Sequence, residues 1–333
     1  MDPNVLLGNV YNRSANTGFL RIDGTVHGSK KWRAEELSGQ WDFYNDPRYL
    51  YVRSKANPSA STSDFRVAVD GNVITGGDSL VVAGLELVGA GGHGYRQAAA
   101  AATEVVDCEI HEIGGAELAN GVRYGNGVEA WMGSHGITVS HNEIHDVYDT
   151  ACTIQGAQTA DARAIVGADF HDNVIYDCMQ AFEYWGTGPY TTTDDGFRDC
   201  SFVSNVCVGA GRSWSRGVRP DGDGLGVFLL AYSQDLPVDI SVRDNVFVDA
   251  VDGYAYVNTN GGRFRTGYSS DCNTIALRAA LQIQRQFPYR TSQAAEWTAH
   301  VAADRHSRWL TLPAGTMSTA AGLQFARRLR AGD

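Results

Sequence analysis

The chain has 333 residues, a formal net charge of −11 and 38 glycines. So acidic a balance disfavours nucleic acid as a partner. No apolar run approaches the ~18 residues that suggest a membrane helix, so no membrane partner is expected.

Two composition details bound the chemistry. The only lysines are Lys30, Lys31 and Lys55, and a base beyond residue 55 is therefore not expected to be lysine. The six cysteines, at 108, 152, 178, 200, 207 and 272, form no C-x-x-C pair. They read as buried small hydrophobes, with a Cys200–Cys207 disulfide or one to Cys272 as the alternative.

Residues 1–65 read as an N-terminal β segment. Gly18-Phe-Leu-Arg-Ile-Asp has strand character, and Trp41-Asp-Phe-Tyr and Tyr49-Leu-Tyr-Val-Arg flank an Asn-Asp-Pro-Arg turn, a hairpin signal. Residues 57–63 read as a polar loop. Regular coils are expected from about Phe65, through Val73-Ile-Thr and the alternating run that starts at Leu80.

The middle of the chain repeats a phrase. Asn142-Glu-Ile-His-Asp-Val-Tyr-Asp is followed by copies starting at Asn173, Asn205 and Asn245, and a degenerate copy starts at Cys108. Self-similarity on this scale marks stacked repeats. Each copy is flanked by short alternating segments rich in β-branched and aromatic residues, a strand signal. Three short strands per repeat describe one coil of a parallel β solenoid, which must stack to bury its apolar face. The asparagines are expected to form a structural ladder, since asparagine tolerates left-handed backbone and bonds along a stack.

Residues 186–197 and 211–224 read as loops thrown out from the coils, and loops of this length often bind ligands. After residue 260, Thr274–Phe287 and Gln293–Ala303 show helical periodicity. Residues 318–331 form a last helix or a tail that would cover the solenoid's open end.

Two phrases carry a resemblance: Gly125-Asn-Gly-Val-Glu-Ala-Trp131 and Tyr148-Asp-Thr-Ala-Cys-Thr-Ile-Gln-Gly156. With the repeat, over roughly residues 66–260, the chain resembles right-handed parallel β-helix proteins, the group that holds pectate-lyase-like and polygalacturonase-like enzymes. The resemblance implies an all-β fold: a right-handed parallel β-helix over 66–260, an irregular N-terminal β segment over 1–65, and a partly helical C-terminal cap over 261–333. It implies a carbohydrate-active protein acting on a polysaccharide in an extracellular or periplasmic location. Met1-Asp-Pro begins no secretory leader, so a leader is expected to be missing from this sequence. A monomer is expected over a trimer. The same architecture serves several chemistries, and function must be read from the site.

Alignment of the copies predicts that site. With Val128, Cys152, Phe182 and Val227 inward, two columns face outward. One is Glu129, Thr153, Glu183, Phe228; the other is Trp131, Gln155, Trp185, Leu230. Glu129 and Glu183 then lie two coils apart, roughly 9–10 Å at the backbone. Inverting glycosidases hold their carboxyls about 6.5–9.5 Å apart, so the spacing favours inversion. Asp149, in the turn before Thr153, is a third carboxylate that could replace either. Trp131, Trp185 and Gln155 would hold sugar rings, and Arg123, Asn126 and His135 complete the expected binding set.

A polysaccharide lyase is the chemical rival. It needs a base, from His135, His145, His171, Tyr124 or Tyr148, and a neutraliser for the uronate carboxylate, from Arg123, Arg163 or Ca²⁺. Asp221-Gly-Asp-Gly could offer oxygens to Ca²⁺ but matches no full calcium loop. Otherwise no cofactor and no metal are expected: His141 and His145 have helical metal spacing in a segment that reads as strand. Gly77-Asp-Ser-Leu80 copies an esterase phrase in the wrong structural context. A glycan-binding module without catalysis, such as a tailspike or adhesin fragment, is the third reading. Asn12-Arg-Ser14 is a glycosylation triplet that says nothing without a known host.

Overall fold

The computed structural model describes residues 5–9, 16–119, 121–159, 163–188, 195–220, 222, 225–232, 236–258 and 260–332. Three long sheets dominate, and the chain visits them in rotation. The first sheet runs from Ile74–Thr75 through Tyr95–Gln97, Val128–Trp131, Thr150–Ala157, Gln180–Thr187, Val227–Ala231 and Gly253–Val257 to Gln282–Gln284. The second runs from Val81–Ala83 to Tyr268–Asp271, and the third from Glu86–Val88 to Arg308–Leu312. Successive strands pair in parallel, except that Phe287–Arg290 adds an antiparallel edge strand to the first sheet beside Gln282–Gln284. The architecture is all-β and solenoid-like, compatible with a β-helix.

Alternation places every second side chain inside. The interior cluster is continuous along the stack, from Val82 to Ala303. Rings stack coil on coil within it: Phe182 lies 5.9 Å from Phe170 and 4.8 Å from Phe202. All six cysteines are free thiols, five of them buried in these rows.

Between the second and third sheets runs the asparagine ladder. The backbone N–H groups of Asn142, Asn173, Asn205 and Asn245 each donate to the side-chain oxygen of the next asparagine, the last being Asn273, at 2.8–3.0 Å. Each side-chain amide also donates to a carbonyl one coil away, as Asn205 does to Phe170 O. The left-handed backbone belongs to the residue before each asparagine, not to the asparagine: His141, Asp172, Ser204, Asp244 and Cys272 all have positive φ, as does Asp107 before Cys108 in the degenerate copy. The turn needs one left-handed residue, and the asparagine side chain is needed next to it.

Coils start later than the sequence suggests. Phe65–Val69 pairs antiparallel with Thr17–Ile22 in the N-terminal unit, and Ile74–Thr75 is the first strand of the stack. The expected hairpin is present as Phe43–Asn45 and Tyr49–Arg53. The parallel sheets also continue past residue 260. Thr274–Arg278 and Arg308–Leu312 extend the third sheet. The helical periodicity of 274–287 is overridden by ladder pairing, since strand preference depends on context. Helix Ala294–Val301 does form and buries Trp297 against the last coil, beside Tyr254 and Trp309. Helix Thr319–Ala331 covers no open end. It packs Ala326 and Leu329 on Val206, Val208, Val246 and Val248, the apolar outer face of the third sheet.

Candidate active site

A cleft of about 610 Å³ opens on the outer face of the first sheet. Its walls include Glu129, Glu183 and Asp149, with Trp131, Trp185, Gln155, Asn126 and Arg123. Register explains the grouping. Glu129 pairs with Thr153 and Thr153 with Glu183, while Trp131 pairs with Gln155 and Gln155 with Trp185. The fourth position differs from expectation. Leu230, not Phe228, continues the Glu183 column, and Phe228 turns into the core.

Glu129 is 2% exposed and held by four groups. Arg96 Nε donates to Oε1 at 2.6 Å. Asn126 Nδ2 and Gln155 Nε2 donate to Oε2 at 3.1 and 3.0 Å, and His93 Nε2 lies 3.2 Å from the same oxygen. His93 Nδ1 accepts from the Asn126 backbone N–H at 3.1 Å, which leaves the ring proton on Nε2, toward Glu129. Burial lowers the His93 pKa. Both carboxyl oxygens therefore act only as acceptors.

The Gly-Asn-Gly phrase serves this arrangement. A Cβ on Gly125 would collide with Gly114 Cα, and one on Gly127 would lie 2.6 Å from Ala151 O. The backbone must approach both neighbouring coils closely, and only glycine allows it. Asn126 between them accepts from Thr150 N at 3.2 Å while donating to Glu129.

Glu183 has the opposite environment. It is 8% exposed, and among the described residues the Thr150 and Thr153 hydroxyls donate to it, at 3.3 and 3.2 Å. Burial first, and the Asp149 charge second, push its pKa up to about 8. It therefore carries a proton at neutral pH. Asp149 is partly exposed, and Arg219 Nη1 donates to its Oδ1 at 3.1 Å.

The aromatic groups complete the cleft. The Trp131 and Trp185 rings lie 6.4 Å apart, tilted by 41°. The Arg96 guanidinium lies 5.0 Å over Trp131.

Two expected binding residues do not behave as such. His135 starts a strand of the second sheet, exposed, and is not among the residues lining the cleft. Arg123 reaches the cleft but is 2% exposed, and its guanidinium donates to the carbonyls of Gly18, Gly28, Gly115 and Val218. It ties the N-terminal unit to the coils. Residues 211–220 likewise fold back rather than out: Trp214 packs on Phe19 and Tyr148 and donates to Asp146 O.

The bases proposed for a lyase lie elsewhere or are occupied. His145 stacks between His111 and Tyr176 on the third sheet, and His171 ends a strand of the second. Tyr124 lines the cleft, but it donates to Asp70 at 2.5 Å, and burial raises its pKa. Tyr148 is fully buried between Arg123 and Arg219. Arg163 is paired with Asp195. Asp221, Asp223 and Gly224, like Asn12-Arg-Ser14, lie outside the described residues. Among the described residues, one group of acidic and histidine side chains has metal-ligand proximity, Glu86, Glu109 and His111; it is on the third sheet, not in the cleft.

His93 and Arg96 are absent from the sequence-based set, though a signal for them exists. Gly92-His-Gly-Tyr-Arg-Gln repeats the pattern of Gly125-Asn-Gly-Val-Glu-Ala one coil earlier, and Tyr95 pairs with Val128 and Arg96 with Glu129. No family model, curated protein or solved structure matches the chain. Its chemistry rests on this geometry.

Proposed function

We propose that this chain is a polysaccharide-cleaving glycoside hydrolase of inverting stereochemistry, built on a right-handed parallel β-helix. The observation that carries the reading is the contrast between two carboxyls two coils apart. Glu183 holds a proton to about pH 8, while Glu129 is surrounded by donors. Pairs of carboxyls whose environments separate them in this way mark acid and base. Strand-to-strand crossovers in parallel sheets are almost always right-handed, which supports the handedness.

Glu183 donates its proton to the glycosidic oxygen as the bond to the anomeric carbon lengthens. Glu129 takes a proton from a water attacking the opposite face of that carbon. Two strand spacings, roughly 9–10 Å, leave room for the sugar and this water. Asp149 keeps the proton on Glu183 between turnovers by its negative charge. Trp131 and Trp185 offer apolar faces to sugar rings, and Gln155 holds Glu129 in line. A polymeric glycan places the working protein outside the cytoplasm, as a monomer.

The test is a screen of purified protein for release of reducing ends from a polysaccharide panel, with Glu183→Gln and Glu129→Gln beside it. Proton NMR of the first-formed anomer reads the stereochemistry. Near-normal turnover in both variants, or an ultraviolet-absorbing unsaturated product, would overturn the assignment.

A further inference from the structure

We infer that the glycan taken by this cleft is electrically neutral rather than a polyuronate. The inference rests on the reading of the cleft as a glycan site. A uronate polymer brings one carboxylate per sugar, and a site for it receives those carboxylates on guanidinium or ammonium groups or on a bound cation; among the described residues the one group with metal-ligand proximity, Glu86, Glu109 and His111, lies on the third sheet and not in the cleft. Among the described residues, each cation at this cleft already has its counterpart. Arg96 is bound to Glu129 at 2.6 Å and stacked on Trp131. Arg219 donates to Asp149 Oδ1 and to Tyr148 O. Arg123 is buried and donates to four backbone carbonyls.

Redirecting any of them is costly. A substrate carboxylate that captured Arg96 would take the ion-pair partner from a carboxyl that is 2% exposed, and breaking a buried pair is strongly unfavourable. Capturing Arg219 would expose Asp149 and the substrate to each other as like charges. His93 offers no cation, because its Nδ1 accepts a backbone N–H.

The charge of the sequence has the same sign. The chain as a whole carries −11, a field that repels a polyanion at long range. What the cleft does offer is what a neutral sugar needs: ring faces on Trp131 and Trp185, and the half-buried amide of Gln155.

The experiment uses the full chain with Glu183→Gln, in which turnover is expected to be slowed by about 10²–10⁴-fold so that binding can be read. Affinity electrophoresis is run in gels containing galactan, glucomannan or arabinoxylan, and in gels containing polygalacturonate or alginate, at low and at ~0.5 M salt. The expected result is retardation by at least one neutral glycan, changed less than about 2-fold by salt because no ion pair to the glycan is screened. Salt-sensitive retardation by a polyuronate, or cleavage of one by the wild type, overturns the inference. So does failure of every neutral glycan to retard the protein. Failure of the hydrolase reading looks different: the neutral glycan is retained by the variant but left intact by the wild type.

Discussion

Arg96 Nε donates to Glu129 Oε1 across 2.6 Å, and the same guanidinium lies over the Trp131 ring. One side chain thus fixes both the proposed base and half of the proposed sugar platform. Arg96→Ala is expected to lower kcat/KM by roughly 10²-fold, the scale of a small misplacement of reacting groups. Arg96→Lys should recover little, because an ammonium has neither the planar fork nor the stacking face. Equal kcat/KM in wild type, Ala and Lys variants would show that Arg96 positions nothing.

In the proposed mechanism Glu183 couples catalysis to stability. Glu183→Gln should cost about 10²–10⁴-fold in kcat, the usual worth of a general acid. Its effect on stability has the opposite sign. The folded-state pKa is raised from 4.5 to about 8, so the native state holds a proton that the unfolded state releases first. The wild type's stabilisation is complete below about 4.5 and is lost as pH rises through about 8. The glutamine variant has no such loss. Thermal melts across this range should show the variant gaining on the wild type up to about pH 8, then running parallel; a constant difference would contradict the buried, protonated state.

Asp149 acts on the same proton. Its negative charge is the second cause of the raised Glu183 value, so Asp149→Asn should let Glu183 ionise at lower pH. The alkaline limb of the kcat/KM profile then moves toward acid. Arg219, deprived of its partner, pushes in the same direction. The check is a pH–rate profile of both proteins, and an unmoved alkaline limb removes Glu183 as the acid.

The site is legible in the sequence as far as period-two alternation carries. Glu129, Thr153 and Glu183 fall in one column because three consecutive coils keep register. The next coil does not, and Phe228 falls out of place with it. Side-chain alternation also says nothing about what covers an outward residue. Glu129 and Glu183 look like exposed positions on a solenoid face, yet both are under a tenth exposed, because Arg96, His93 and the wall residues close over them. His135 enters the expected set by nearness in sequence, which a coil turn cancels. The C-terminal strands are hidden for another reason: alanine, glutamine and arginine in 274–287 favour helix locally, and pairing with the coil before decides otherwise.

The two asparagine roles separate stability from activity. Asn205 accepts from Asn173 N at 2.9 Å and donates to Phe170 O at 3.0 Å, in the turn between the second and third sheets. Asn205→Ala strands both of these buried backbone groups, each at about 1–3 kcal/mol, so a loss of roughly 2–6 kcal/mol in unfolding free energy is expected, with kcat/KM of the folded protein unchanged. Asn205→Asp is no remedy, since a second carboxylate oxygen would face Phe170 O and Asn245 Oδ1 where the amide now donates. Asn126 has the same chemistry in the cleft, where it holds Glu129 and Thr150 N. Asn126→Ala should lower kcat/KM well beyond its effect on stability. Denaturant unfolding and kinetics on the two variants read this crossing directly, and a parallel loss of stability and activity in both would show that ladder and cleft are not separate devices.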